Sequence, residues 1–166
     1  AITVRSAVGV GSTFELFFPA LAGDLPAPPP ASTQLPRGAG ERIMLVDDDA
    51  VSGFAIEKLI ETLNYAVQRF NRPAEALAAF AAAPDACDLV VSDLAMPGMN
   101  GDELVGRMLK IRPDLPVIIV TGYIETARQQ LLEKTAARAV LHKPVVRHEL
   151  ARALADHVRR APHRAG

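Results

Sequence analysis

This 166-residue chain has no tryptophan, two tyrosines and one cysteine. The lone thiol, Cys87, allows no internal disulfide and no thiolate metal cluster, and it fits a reducing, cytoplasmic setting. It stands just before an apolar run and reads as a small, partly buried side chain. Charge of one sign is lacking too: 18 basic residues against 19 acidic ones leave a formal net charge of -1. Nothing points to an overall surface for nucleic acid or membrane, although the C-terminal stretch is locally basic. No apolar run approaches the ~20 residues of a membrane span, and no signal peptide is evident. No GxGxxG or phosphate-loop Lys-Ser motif follows the strand at 42–46, which removes the main support for dinucleotide or nucleoside-triphosphate binding.

What is present is a hydrophobic fraction of 49%, enough for a folded core. The stretch 88-DLVVSDLAMPGMNG-101 organises it. Leu89, Val90 and Val91 deliver Asp93 to the end of a predicted buried strand, and a Pro-Gly turn follows. Around it, residues 42–46, 65–70, 89–92, 115–120 and 138–142 read as strands. Helices are expected near 51–63, 72–83, 102–111, 126–135 and 147–159. The helix after the first of these strands is expected to bury Val51, Phe54, Ala55, Leu59 and Leu63. Strands alternating with helices across short loops predict a parallel α/β sheet.

Polar groups follow four of these strands: Asp47, Asp48 and Asp49, then Asp93, Thr121 and Lys143. In a parallel sheet these ends share one edge. Carboxylates gathered there repel each other and call for a cation. An oxygen-only donor set suits Mg2+ or Mn2+ with waters retained. Lys143 offers a point charge for a phosphoryl oxygen, and Thr121 a hydroxyl donor. Asp49 is expected to cap the following helix. A nucleophile, a metal site and a cation without a general base fit phosphoryl transfer onto a carboxylate.

Residues 41–160 resemble response-regulator receiver domains. In that resemblance 43-IMLVDDD-49 carries the acidic pair, Asp47 and Asp48. The run 90-VVSDLAMPGMNG-101 makes Asp93 the phosphoacceptor, and Ala95 supplies the carbonyl that completes the metal shell. Thr121 is the hydroxyl residue, and Lys143-Pro144 is the lysine with its commonly cis peptide bond. The implied fold is a flavodoxin-like α/β receiver, with a five-stranded parallel sheet in the order 2-1-3-4-5 flanked by five helices. The implied partner is a histidine-phosphorylated kinase or phosphotransfer domain, with self-catalysed phosphotransfer and autodephosphorylation at Asp93. Val140 departs from the pattern: many receivers carry a rotating aromatic residue there.

Residues 1–40 differ in character. Ile2–Ser6 and 13–18 read as two strands joined by a glycine-bearing turn, with Phe14, Leu16 and Phe18 on one face. Residues 19–40 hold six prolines and read as a linker. The segment 1-AITVRSAVGVGSTFELFFP-19 is similar to the carboxyl end of a sensor histidine kinase's ATP-binding domain, with Gly9 and Gly11 at its last glycine motif. That family's magnesium-binding asparagine and adenine-reading aspartate have no counterpart here, so no ATP binding is expected. The resemblance implies a remnant over 1–19, a linker over 20–40, a receiver over 41–160 and a tail over 161–166. This is the C-terminal order of a hybrid sensor histidine kinase. The apolar face of residues 1–19 could also pair two copies into a homodimer. Two alternatives compete with phosphotransfer: a receiver that only binds proteins, and a small aspartate-nucleophile phosphatase built on Asp47 and Asp49.

Overall fold

The computed structural model describes residues 1–18, 35–122 and 136–158. The chain divides into two compact units, Ala1–Thr33 and Gln34–Gly166. In the first, β1 (Ile2–Ala7) pairs antiparallel with β2 (Gly11–Leu16). Gly9 and Gly11 take the positive φ angles, 77° and 118°, that the connection requires. Phe14 and Leu16 stay exposed on this hairpin.

The second unit is built on five parallel strands: β3 (Arg42–Val46), β4 (Ala66–Phe70), β5 (Leu89–Asp93), β6 (Val117–Thr121) and β7 (Ala139–His142). Their spatial order is β4-β3-β5-β6-β7, the predicted 2-1-3-4-5 arrangement. Among the described residues four α-helices flank it: α1 (Ala50–Thr62), α2 (Pro73–Ala82), α3 (Gly101–Ile111) and α4 (Arg147–Val158). The helix expected at 126–135 lies outside the described residues.

The central strands β3, β5 and β6 are apolar over most of their length because both faces are covered, whereas the edge strand β4 carries Gln68 and Arg69. Successive residues alternate between two cores. Leu45, Val91, Ile118 and Leu141 join Ile56 and Ile60 of α1 and Leu150 and Leu154 of α4. Met44, Val90, Ile119 and Val140 join Ala76 and Phe80 of α2 and Leu104 and Met108 of α3. Each fully buried large aliphatic contributes about 2 kcal/mol relative to exposure. Cys87 is buried in the second core, as expected, and burial pushes its thiol pKa up.

Two expectations change here. Helix α1 buries Gly53, Ile56 and Ile60, with Leu63 just beyond its end. Val51 and Phe54 are instead 81% and 54% exposed. Ala55 is exposed too, Leu59 packs partly against the core and Leu63 is buried as expected, so the inward face is centred on Ile56 and Ile60 and only the first turns of the expected stripe face outward.

The assigned linker also ends earlier than expected. Gly38 N–H donates to the Leu63 carbonyl at 2.9 Å and Gly40 N–H to that of Asn64 at 3.1 Å. The Arg37 guanidinium donates to the Thr62 carbonyl at 3.1 Å. Carbonyls left over at the C-terminal end of α1 thus find donors in residues 37–40. Leu35 packs on the α1/α4 core, and a Cβ on Gly38 would overlap the Tyr65 ring.

Among the described residues no helix is long and apolar enough to cross a membrane.

Candidate functional site

All five strands run the same way, so the carboxyl ends of β3, β5, β6 and β7 meet on one edge. The chain leaves β3 through Asp47, whose N–H still donates to the Phe70 carbonyl of β4 at 3.1 Å. That bond holds Asp47 against the sheet and leaves it 1% exposed. Asp48 is exposed. Asp49 turns away to cap α1 and accepts from the N–H groups of Val51 and Ser52 at 2.9 and 2.7 Å. The Ser52 N–H is the largest cause holding the Asp49 carboxyl below its ordinary pKa, with Val51 N–H and Lys143 adding to it against slight desolvation. The predicted cap is therefore present, and the third aspartate is committed to it.

Asp93 is the last residue of β5 and only 7% exposed. Its place depends on Gly101 at the start of α3. The Gly101 N–H donates to the Leu94 carbonyl at 2.9 Å, and a Cβ on Gly101 would overlap the Asp93 carbonyl oxygen. Only glycine lets the helix approach the strand end so closely.

Lys143 follows β7 and precedes a cis peptide bond to Pro144, as expected. Its backbone N–H donates to the Thr121 carbonyl at 2.9 Å, which ties the chain after β7 to the buried end of β6. The Lys143 ammonium donates to Asp93 Oδ2 at 2.6 Å and to Asp47 Oδ2 at 3.0 Å. Desolvation pulls the Lys143 pKa down, but the hydrogen bonds to Asp93 and Asp47 and their charges outweigh it and hold it above 10.5.

Asp47, Asp48 and Asp93 present carboxylate oxygens that all lie within 4.8 Å of one another. One ammonium does not balance three carboxylates, so the cluster keeps excess negative charge. With only oxygen donors and an exposed member, the cluster fits a hard divalent ion that retains water. Ala95, the other predicted ligand, is exposed, and its N–H donates to Asp93 Oδ1 at 3.3 Å. The six residues singled out in the sequence therefore converge on this edge: four through side chains, Ala95 through its amide, and Thr121 through its backbone bond to Lys143.

Sequence reasoning missed Gly101, whose signal was its place at the end of the Pro-Gly turn. It also missed Ser52, whose hydroxyl donates to Asp47 Oδ2 at 3.0 Å. Its signal was the spacing Asp49-x-x-Ser52, which places it in the first turn above the acidic pair.

Comparison with known proteins bears on the family of this fold. The family model described as the response regulator receiver domain matches residues 43–155. The C4-dicarboxylate transport transcriptional regulatory protein DctD of Rhizobium meliloti is 39% identical over 85 residues, 51% of this chain and 18% of the relative. Sensor kinase CckA of Brucella abortus is 33% identical over 156 residues, 88% of this chain and 16% of the relative. This chain thus spans less than a fifth of the length of these curated relatives. A crystal structure of a response regulator receiver domain protein from Clostridium thermocellum superposes with a TM-score of 0.67 at 28% identity, covering 72% of this chain and 95% of that one. With a family model matched from β3 into α4, and a solved receiver domain superposing on most of the chain, this chain belongs to the response regulator receiver family of two-component systems.

Proposed function

We propose that the receiver takes a phosphoryl group from a phosphohistidine onto Asp93. The observation that carries this reading is the Asp93 carboxylate itself: buried at a strand end, 2.6 Å from an ammonium and clustered with two more carboxylates. In the transfer, an Asp93 carboxylate oxygen forms a bond to phosphorus as the P–N bond to the donor imidazole breaks. The bonding pair of electrons stays on the imidazole nitrogen. Lys143 turns from the carboxylates to an oxygen of the arriving group, and Thr121 donates its hydroxyl to another. Asp48, Asp93 and the Ala95 carbonyl would hold Mg2+ or Mn2+, with Asp47 acting through water. When bound, that ion neutralises charge on the transferring oxygens. Water later cleaves the acyl phosphate and returns Asp93 to a carboxylate.

The similarity to a sensor kinase over 88% of the chain supports a place in a hybrid histidine kinase. In that setting residues 1–19 are the last strands of the ATP-binding domain and residues 41–160 are the cytoplasmic receiver. The exposed hairpin face also gives residues 1–19 a means of pairing two copies. The phosphatase alternative needs Asp49 free for chemistry, and the two backbone N–H groups it caps work against that.

The test is incubation with Mg2+ and a small acyl or amido phosphate, followed by intact mass. Wild-type protein should gain one phosphoryl group, and D93A none. Labelling that survives in D93A would overturn the assignment. Absence of labelling in wild type would favour a receiver that only binds proteins.

A further inference from the structure

We infer that Ser52 is a positioning residue of the phosphoacceptor site, holding the Asp47 carboxylate in place while Lys143 changes partners. This deepens the proposed function and rests on it. Asp47 Oδ2 accepts from Lys143 Nζ and from Ser52 Oγ, each at 3.0 Å, while Asp47 Oδ1 accepts from Asp49 N–H at 2.9 Å. The carboxylate is almost fully buried, so an oxygen that loses its donors there is costly. Lys143 is the donor that cannot stay: the same ammonium bonds Asp93 and must swing to the incoming phosphoryl oxygen. When it does, Asp47 Oδ2 keeps the Ser52 hydroxyl. That hydroxyl sits in the first turn of α1, and its own residue's N–H is fixed on Asp49. The serine is therefore anchored on the backbone and does not move with the lysine. Asp47 stays aimed into the metal cluster through both states of Lys143. Groups that orient a metal-site carboxylate are worth as much as tenfold or more in affinity.

The experiment measures Mn2+ binding by electron paramagnetic resonance in wild type, S52A, S52T, K143M and the S52A/K143M double variant. S52A keeps the N–H that caps onto Asp49, so its melting temperature serves as the folding control. S52A should bind Mn2+ about five- to tenfold more weakly, and S52T should restore most of the affinity. The loss caused by S52A should be larger in the K143M background, where, among the described residues, the hydroxyl is the last side-chain donor to that oxygen. Equal Mn2+ affinity in wild type and S52A would overturn the Ser52 assignment and leave the phosphoacceptor reading standing. So would an S52A loss that is the same with and without Lys143. A wild-type protein that takes up no Mn2+ and no phosphoryl group would overturn both.

Discussion

Lys143 Nζ and Asp93 Oδ2 lie 2.6 Å apart, although fifty residues separate them in the chain. The contact exists because β7 and β5 end on the same edge of the sheet with β6 between them. The ammonium also bonds Asp47, so one cation restrains two buried carboxylates. K143M removes it and leaves both without their shared countercharge. The metal-free protein should lose about 2 kcal/mol, less than a fully buried pair would lose because the ammonium is partly exposed. Mg2+ should recover more stability in K143M than in wild type, since the ion then supplies the missing positive charge. Thermal melts with and without Mg2+ measure both effects. A Mg2+ shift no larger in K143M than in wild type would contradict this electrostatic account.

The same pair sets a pH dependence. The folded pKa of Lys143 is raised above its ordinary value of 10.5 by its two carboxylate partners. A group whose folded pKa is raised binds its proton more tightly when folded. Its contribution is complete below the unfolded pKa and is lost as pH rises through the folded one. The stability difference between wild type and K143M should therefore be level from pH 7 to about 10 and shrink above that. Denaturant titrations at stepped pH test this. A difference that grows with alkalinity would carry the wrong sign.

Gly101 is the steric gate for Asp93. A Cβ there meets the Asp93 carbonyl oxygen, which is backbone and cannot swing aside. G101A should destabilise the protein by about 3 kcal/mol. Because the strain falls on the strand end that carries Asp93, it should also slow labelling by small phosphodonors. G106A is the control, since a Cβ on that glycine meets nothing within 4 Å. Equal melting temperatures for G101A and G106A would show that α3 can retreat without penalty.

The chemistry was more legible in the sequence than the surfaces were. Asp47, Asp93, Thr121 and Lys143 could be placed because short apolar runs end one or two residues before them, and a parallel sheet sends every such end to one edge. The buried face of α1 could not be read the same way. Val51, Phe54, Ala55 and Leu59 are as periodic as Gly53, Ile56, Ile60 and Leu63, and a glycine adds nothing to an apolar pattern. Ser52 and Gly101 matter through a hydroxyl contact and a close backbone approach, neither of which leaves a periodic trace. Residues 35–40 share the proline and glycine content of a free linker, and their hydrogen bonds, the packing of Leu35 and the close approach of Gly38 to Tyr65 distinguish them.

The misread face of α1 has its own consequence. Val51 and Phe54 lie three residues apart and exposed, on the helix that starts beside the acidic pair. A protein donor that brings phosphohistidine to Asp93 must cover the neighbourhood of this edge, whereas a small phosphodonor need not. V51A/F54A should lower kcat/KM with a phosphorylated partner about tenfold, the equivalent of 1.4 kcal/mol of lost contact. Labelling by a small phosphodonor should be unchanged. Equal loss with both donors would assign the effect to the site and not to docking.

The segment before β3 offers the last prediction. Gly38 and Gly40 donate backbone N–H groups to Leu63 and Asn64, Asn64 Nδ2 donates back to the Gly38 carbonyl at 2.6 Å, and Arg37 donates to Thr62. Asn64 sits at a positive φ of 66°, the left-handed conformation common where a helix ends. These residues complete the C-terminal end of α1, at the opposite end of that helix from the acidic pair. A chain beginning at residue 35 should retain the stability of the whole receiver unit. A chain beginning at residue 41 should lose about 2 kcal/mol, the net worth of a few such hydrogen bonds and the partial burial of Leu35. Because the loss falls on the far end of α1, the shorter chain should still be labelled at Asp93 below its melting temperature. Identical melting curves for the two chains would return residues 35–40 to the linker.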